Sequence, residues 1–159
     1  MATQHIRVRS EVDAPLDTVW KSITSAEGIN AELRPYVRML TPRGAYDLDI
    51  GNVTDGTRLG HSVLLLFGVV PFDYDDITVA EIEPGRRFRE ESTMLSMRSW
   101  THERTLREID GRTEVTDAVS FHTRLPLSLI PGTDRALRAT VAFLFRHRHQ
   151  RLRRVLRSR

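Results

Sequence analysis

A chain of 159 residues, 40% hydrophobic and 28% charged, is long enough to bury a core without covalent staples and too apolar to stay disordered. It contains no cysteine, which excludes both a disulfide framework and a thiolate metal site. The formal charge is +3, but seven arginines follow Phe145 and the stretch before Arg146 is net acidic, so no specific nucleic-acid partner is expected.

The N-terminal segment MATQHIRVRSEVDAP lacks the apolar core of a secretory leader, and the longest apolar run, Val63 to Phe67, is far too short to cross a bilayer. With no cysteine to protect or pair, a cytoplasmic location is the expectation. Lys21 is the sole lysine, so the cationic surface is almost entirely arginine.

Along the chain, His5 to Val12 alternates, with Ile6, Val8, Ser10 and Val12 on one face, which predicts a half-buried strand. Asp13-Ala14-Pro15 breaks that pattern and opens a helix through Leu16, Val19, Trp20 and Ile23, expected to end at Gly28. A second short helix, Ile29 to Arg34, stops before Pro35. Residues 41–57, with Pro42, Gly44, Gly51 and Gly56, read as mobile connections.

Strands follow over Arg58 to Phe67, Phe72 to Ile82, Arg87 to Met94, Arg98 to Ile109 and Arg112 to His122. Asp110-Gly111 between the last two is a strong hairpin signal. After Pro126 and Pro131 one long helix starts near Thr133 or Asp134. Its apolar stripe is read through Leu137, Val141, Leu144, Arg148, Leu152 and Val155, with the first half buried and the half from Arg146 projecting polar surface. No repeat or linker interrupts the chain, so residues 1–159 are expected to form a single domain with a basic helix end at 146–159. The fold class is α+β: a curved antiparallel sheet of about seven strands wrapped around the terminal helix, with two short helices after the first strand. The space between sheet and helix is expected to be a pocket.

The segment Val12-Asp13-Ala14-Pro15-Leu16-Asp17-Thr18-Val19-Trp20, followed by Ile23-Thr24, resembles the opening strand and helix of the START/Bet v 1-like (SRPBCC) superfamily, which includes polyketide cyclase/dehydrase-like proteins and lipid carriers. The long terminal helix is similar to the one their sheet grips. The resemblance implies a helix-grip fold with an apolar cavity. It leaves open whether the protein is a carrier or an enzyme.

The Asp110-Gly111 turn fixes a register independently of that resemblance. A two-residue turn sets Arg104 against Asp117, His102 against Val119 and Trp100 against Phe121, all on one face with Leu106 and Val115. That face is the inner one. Arg104 and Asp117 are then a buried pair, either structural or, with His102 moving a proton, catalytic. His102 has no obligatory partner from this pairing, although a tight turn near Leu95-Ser96 would bring Glu90 opposite it. His61 and Tyr74, on a strand and at a strand start near the pocket mouth, are weaker ligand-binding candidates that read more readily as exposed polar residues. His147 and His149 point in different directions on their helix and make a poor metal pair.

There is no Gly-rich phosphate loop, no Gly-x-Ser-x-Gly elbow and no His-Glu-x-x-His, so neither a cofactor nor a metal is expected. Three functions stay open: binding of a hydrophobic small molecule such as a lipid, polyketide or aromatic metabolite; a polyketide cyclase/aromatase-like reaction using Arg104 and His102; and a regulatory role in which the basic tail meets a partner. Nothing in the sequence sets an oligomeric state.

Overall fold

The computed structural model describes residues 2–41 and 50–157. Its elements in chain order are β1 (Gln4–Val12), α1 (Leu16–Thr24), α2 (Ala26–Leu33), β2 (Val37–Leu40), β3 (Thr57–Leu66), β4 (Val70–Glu83), β5 (Arg87–Met94), β6 (Met97–Ile109), β7 (Arg112–Thr123) and α3 (Thr133–Arg157). The seven strands form one antiparallel sheet in the order β1-β7-β6-β5-β4-β3-β2, so the first strand closes onto the last. This is the helix-grip fold, with α3 lying against β1 and α2.

The β6–β7 hairpin has the register that its turn dictates. Asp110 and Gly111 both take positive φ, 50° and 78°, the backbone of a two-residue turn matched to strand twist. Arg104 accordingly faces Asp117, His102 faces Val119 and Trp100 faces Phe121. On the next strand Glu90 stands opposite His102.

Gly28 does not end the first helix. The break falls at Ser25, whose side chain accepts from the Gly28 N–H at 3.0 Å and so caps α2. Gly28 lies inside α2, where a Cβ would come within 1.7 Å of the Ser22 carbonyl oxygen, so the close approach of the two helices requires glycine there. The four-residue β2, which pairs with the far end of β3, is too short to show a sequence pattern. Pro42 and Gly44, in the segment expected to be mobile, lie outside the described residues. Ile50–Asn52, by contrast, forms a 3-10 turn with Ile50 buried.

The buried face of α3 is also corrected. Val141, Phe145, His149, Leu152 and Leu156 are buried, whereas Leu137, Leu144 and Val155 are only half-buried and most of the first two turns is exposed. The second half is therefore the anchored half. It is tied down where α2 and β1 dock: Arg151 donates to the Ala31 carbonyl, His147 meets the Arg34 carbonyl and His149 meets Ser10. No helix among the described residues is long and apolar enough to cross a membrane.

Candidate functional site

Four elements repeat one pattern, apolar then polar then apolar, along their inward faces. On β6 it runs Trp100, then His102 and Arg104, then Leu106; on β7 Phe121 and Val119, then Asp117, then Val115. On β1 Ser10 lies between Ile6 and Val12, and on α3 Arg148 and His149 lie between Phe145 and Leu152. Hydrogen bonds between side chains at neighbouring levels join these polar groups into a band that separates two apolar clusters. Glu32 of α2 and Glu90 of β5 complete the band.

Asp117 is its centre. Arg104 donates from Nε to Oδ1 and from Nη2 to Oδ2, both at 2.7 Å. His102 Nε2 reaches Oδ1 and His149 Nε2 reaches Oδ2, again at 2.7 Å. Four donors fill the four lone-pair sites of one carboxylate. Burial opposes ionisation, but the Arg104 guanidinium and then His102 hold the Asp117 carboxyl well below the usual range. Arg104 carries a second carboxylate: Nη1 lies 2.9 Å from both oxygens of Glu32. Glu32 in turn accepts from Arg148 Nε at 3.1 Å.

His102 is held from both sides, by Asp117 at Nε2 and by Glu90 Oε1 at Nδ1, 2.7 Å each. Ionised carboxylates only accept, so both ring nitrogens must donate and the ring is an imidazolium. Burial works against that charge, but the charge and hydrogen bond of Asp117, with those of Glu90, raise the pKa of His102 above its ordinary value. Glu90 is lowered despite its burial, through the His102 hydrogen bond and charge. Three cations (Arg104, Arg148 and His102) thus face three carboxylates.

Beside this band lies a cavity of about 330 Å³ between the sheet and the helices. Ile29 and Leu33 of α2, Met39 of β2, Ile77 of β4, Trp100 of β6 and Leu144 of α3 form much of its wall. Trp100 stacks on Phe121, with ring centroids 6.0 Å apart.

Of the residues singled out from sequence, Glu90, Trp100 and His102 line this cavity. Arg104 and Asp117 are fully buried behind the wall, and Val119 and Phe121 belong to the core beneath Trp100. The expected place of His61 and Tyr74 at the pocket mouth is corrected. Alternation points both to the outer face, where His61 approaches Asp76 at 3.7 Å and packs near Tyr74. His147 and His149 do diverge: one meets the Arg34 carbonyl and the other Asp117. Among the described residues no group of three or more His, Asp or Glu side chains is placed to hold a metal ion.

Glu32, Asp73 and Asp75 were not among the residues singled out from sequence; Arg148 was placed on the helix stripe without a role, and His149 was weighed only as a metal ligand. Glu32 sits three residues after Ile29 and so shares its buried helical face, a legible signal. Asp73 and Asp75 alternate in phase with Ile77 and Val79, so the same period that buries those two buries the acids.

The model of a family described as Domain of unknown function (DUF8410) matches residues 10–156. No curated protein matches the chain. Among solved structures it is similar to protein CV1439 from Chromobacterium violaceum, with a TM-score of 0.73 and 13% identity over 96% of each chain. It is similar to Ara h 8.0201 with a TM-score of 0.61 and 12% identity, covering 95% of this chain and 98% of that one. DynU16, described as a protein in the dynemicin biosynthetic locus, gives a TM-score of 0.63 and 22% identity over 96% of this chain, which spans 47% of DynU16. At these identities the likeness establishes the fold alone.

Proposed function

We propose, for a chain that belongs to the DUF8410 family and has the helix-grip fold, that residues 1–159 act as one unit binding a hydrophobic small molecule in the internal cavity. The observation that carries this reading is the cavity itself, about 330 Å³ walled mainly by aliphatic and aromatic side chains from the sheet and all three helices. A void of that size lined by apolar groups forfeits packing energy unless something fills it. A lipid, polyketide or aromatic metabolite would fit such a wall. A cytoplasmic setting suits a chain without cysteine.

The cyclase/aromatase alternative rests on His102 and Glu90, which reach the cavity wall as a hydrogen-bonded pair. It is the weaker reading. A general base needs a free nitrogen, and both nitrogens of His102 are engaged; Arg104 would have to polarise a ligand from behind the wall, at 0% exposure. The regulatory reading loses support because the supposed basic tail buries His149, Leu152 and Leu156.

Native mass spectrometry of the purified protein, with extraction and identification of whatever co-purifies, tests the proposal. A bound apolar molecule released on unfolding is expected. Turnover of a polyketone by the wild-type protein, lost in a folded His102→Phe variant, would move the balance to the enzyme.

A further inference from the structure

We propose that the molecule held in the cavity is a hydrophobic amine, with its apolar body against the aliphatic wall and its protonated nitrogen at Asp75. The proposal rests on the reading of the cavity as a binding site and specifies the ligand's head group.

Among the described residues five ionisable side chains line the cavity, and four are already committed. His102 is held by two carboxylates, and Arg148 by Glu32 and the face of Phe145, its guanidinium carbon 5.0 Å from the ring centroid. Glu90 is engaged by His102. Asp73 is a local cap: its oxygens accept from the Tyr74, Leu95 and Ser96 amides and from the Ser96 hydroxyl.

Asp75 differs from all of these. It is only 8% exposed and its Oδ1 has no hydrogen-bond partner among the described residues, the Ser92 hydroxyl of the adjacent strand being the one neutral group near enough to favour its charged form. Ser62, also lining the cavity, stands directly across from it on β3. Among the described residues the charges that act on Asp75 are Glu90, Asp73 and Asp76, all negative. An unpaired buried carboxylate is costly, and a ligand cation would remove that cost.

An anionic head group meets the opposite situation. Among the described residues the cations on the wall are His102 and Arg148, which already face carboxylates, and Asp75 would repel it. A neutral hydroxyl could hydrogen-bond to Asp75 but would leave its charge unbalanced. Burial, with Glu90 adding to it and Ser92 opposing, pushes the Asp75 carboxyl up to about 7. Preference for a cation should therefore be strong above that pH and fade below it, provided the other groups facing the site (Asp73, Glu90, His102 and Arg148) keep their charge.

The test is calorimetric titration with n-octylamine, 1-octanol and octanoate, each at about pH 8.5 and about pH 5.5. We expect octylamine to bind at least about tenfold tighter than octanol at the higher pH, with octanoate weakest, and the amine-to-alcohol ratio to fall about tenfold at the lower. In Asp75→Asn, checked for folding by circular dichroism, the ratio should collapse towards one at both pH values. Octylamine binding no tighter than octanol, a ratio indifferent to pH, or a preference that survives Asp75→Asn would overturn the amine assignment while leaving an apolar cavity site. Failure of every probe to saturate would overturn the cavity reading and this inference together.

Discussion

Replacing Arg104 by Met removes a guanidinium that serves Asp117 and Glu32 at once, leaving two carboxylates buried with fewer donors. Breaking a buried pair in this way costs about 3–5 kcal/mol, so Arg104→Met should lose at least that much in chemical denaturation. His102→Phe should also be costly, on the order of 3 kcal/mol, because Glu90 and Asp117 each lose their contact with the imidazolium. A His102→Phe protein as stable as wild type would show that the two-sided contact is not formed. Asp75→Asn should have the opposite sign. Its carboxyl is raised from 3.8 to about 7, so the folded state is penalised above that range, and the substitution should stabilise the protein by a few kcal/mol at about pH 8 and hardly at all at about pH 4. Equal stability of the two proteins at both pH values would contradict the placement of that carboxyl.

At the scale of elements, the β6–β7 hairpin was legible because one dipeptide fixes its turn, and the turn fixes every cross-strand pair beyond it. Trp100, Arg104 and Asp117 could thus be placed from sequence alone. The face of α3 was not legible in the same way. Apolar residues crowd its first half, and Leu144 and Phe145 offer two stripes one residue apart. The choice between them depends on where α2 and β1 press against the helix, which is tertiary information. His149 lies off the stripe read from sequence, and while the buried position of Glu32 beside Ile29 was legible, its partners on β6 and α3 were not.

Anchoring of the second half of α3 predicts that truncation after Gln150 removes Leu152 and Leu156 from the cluster with Val12, Val19, Phe88, Leu106 and Val115. Loss of one such leucine costs about 2–5 kcal/mol, so the truncated chain should melt far lower or unfold without cooperativity. An unchanged Tm would return the tail to solvent. Leu144→Ala should cost less than Leu152→Ala, since Leu144 is half-buried on the cavity wall and Leu152 is 1% exposed in the core.

For the whole molecule, the ionisable groups combine into one pH profile. His102 is raised, so its contribution is complete below about pH 6.5 and is lost as the pH climbs through the folded-state value. Glu90 and Asp117 are lowered, so theirs is present above about pH 4.5 and lost as the pH falls through their folded-state values. The Asp75 penalty develops between about pH 4 and pH 7. All three place maximal stability near about pH 5, with a decline towards pH 8 that Asp75→Asn should lessen. A stability maximum above neutrality would contradict the cluster's charge assignment.

The central claim is that the cavity takes up an apolar molecule beside Trp100. Trp20 is only partly buried and meets Phe88 edge-on in the cluster at the other end of the core. Trp20→Phe therefore leaves Trp100 as the single reporter on the cavity wall. Titrating that variant with toluene should give a saturable change in Trp100 emission with one site per chain, reversed by competition from 1-octanol. A response that rises linearly without saturating, or none at all, would contradict an apolar binding cavity at that wall.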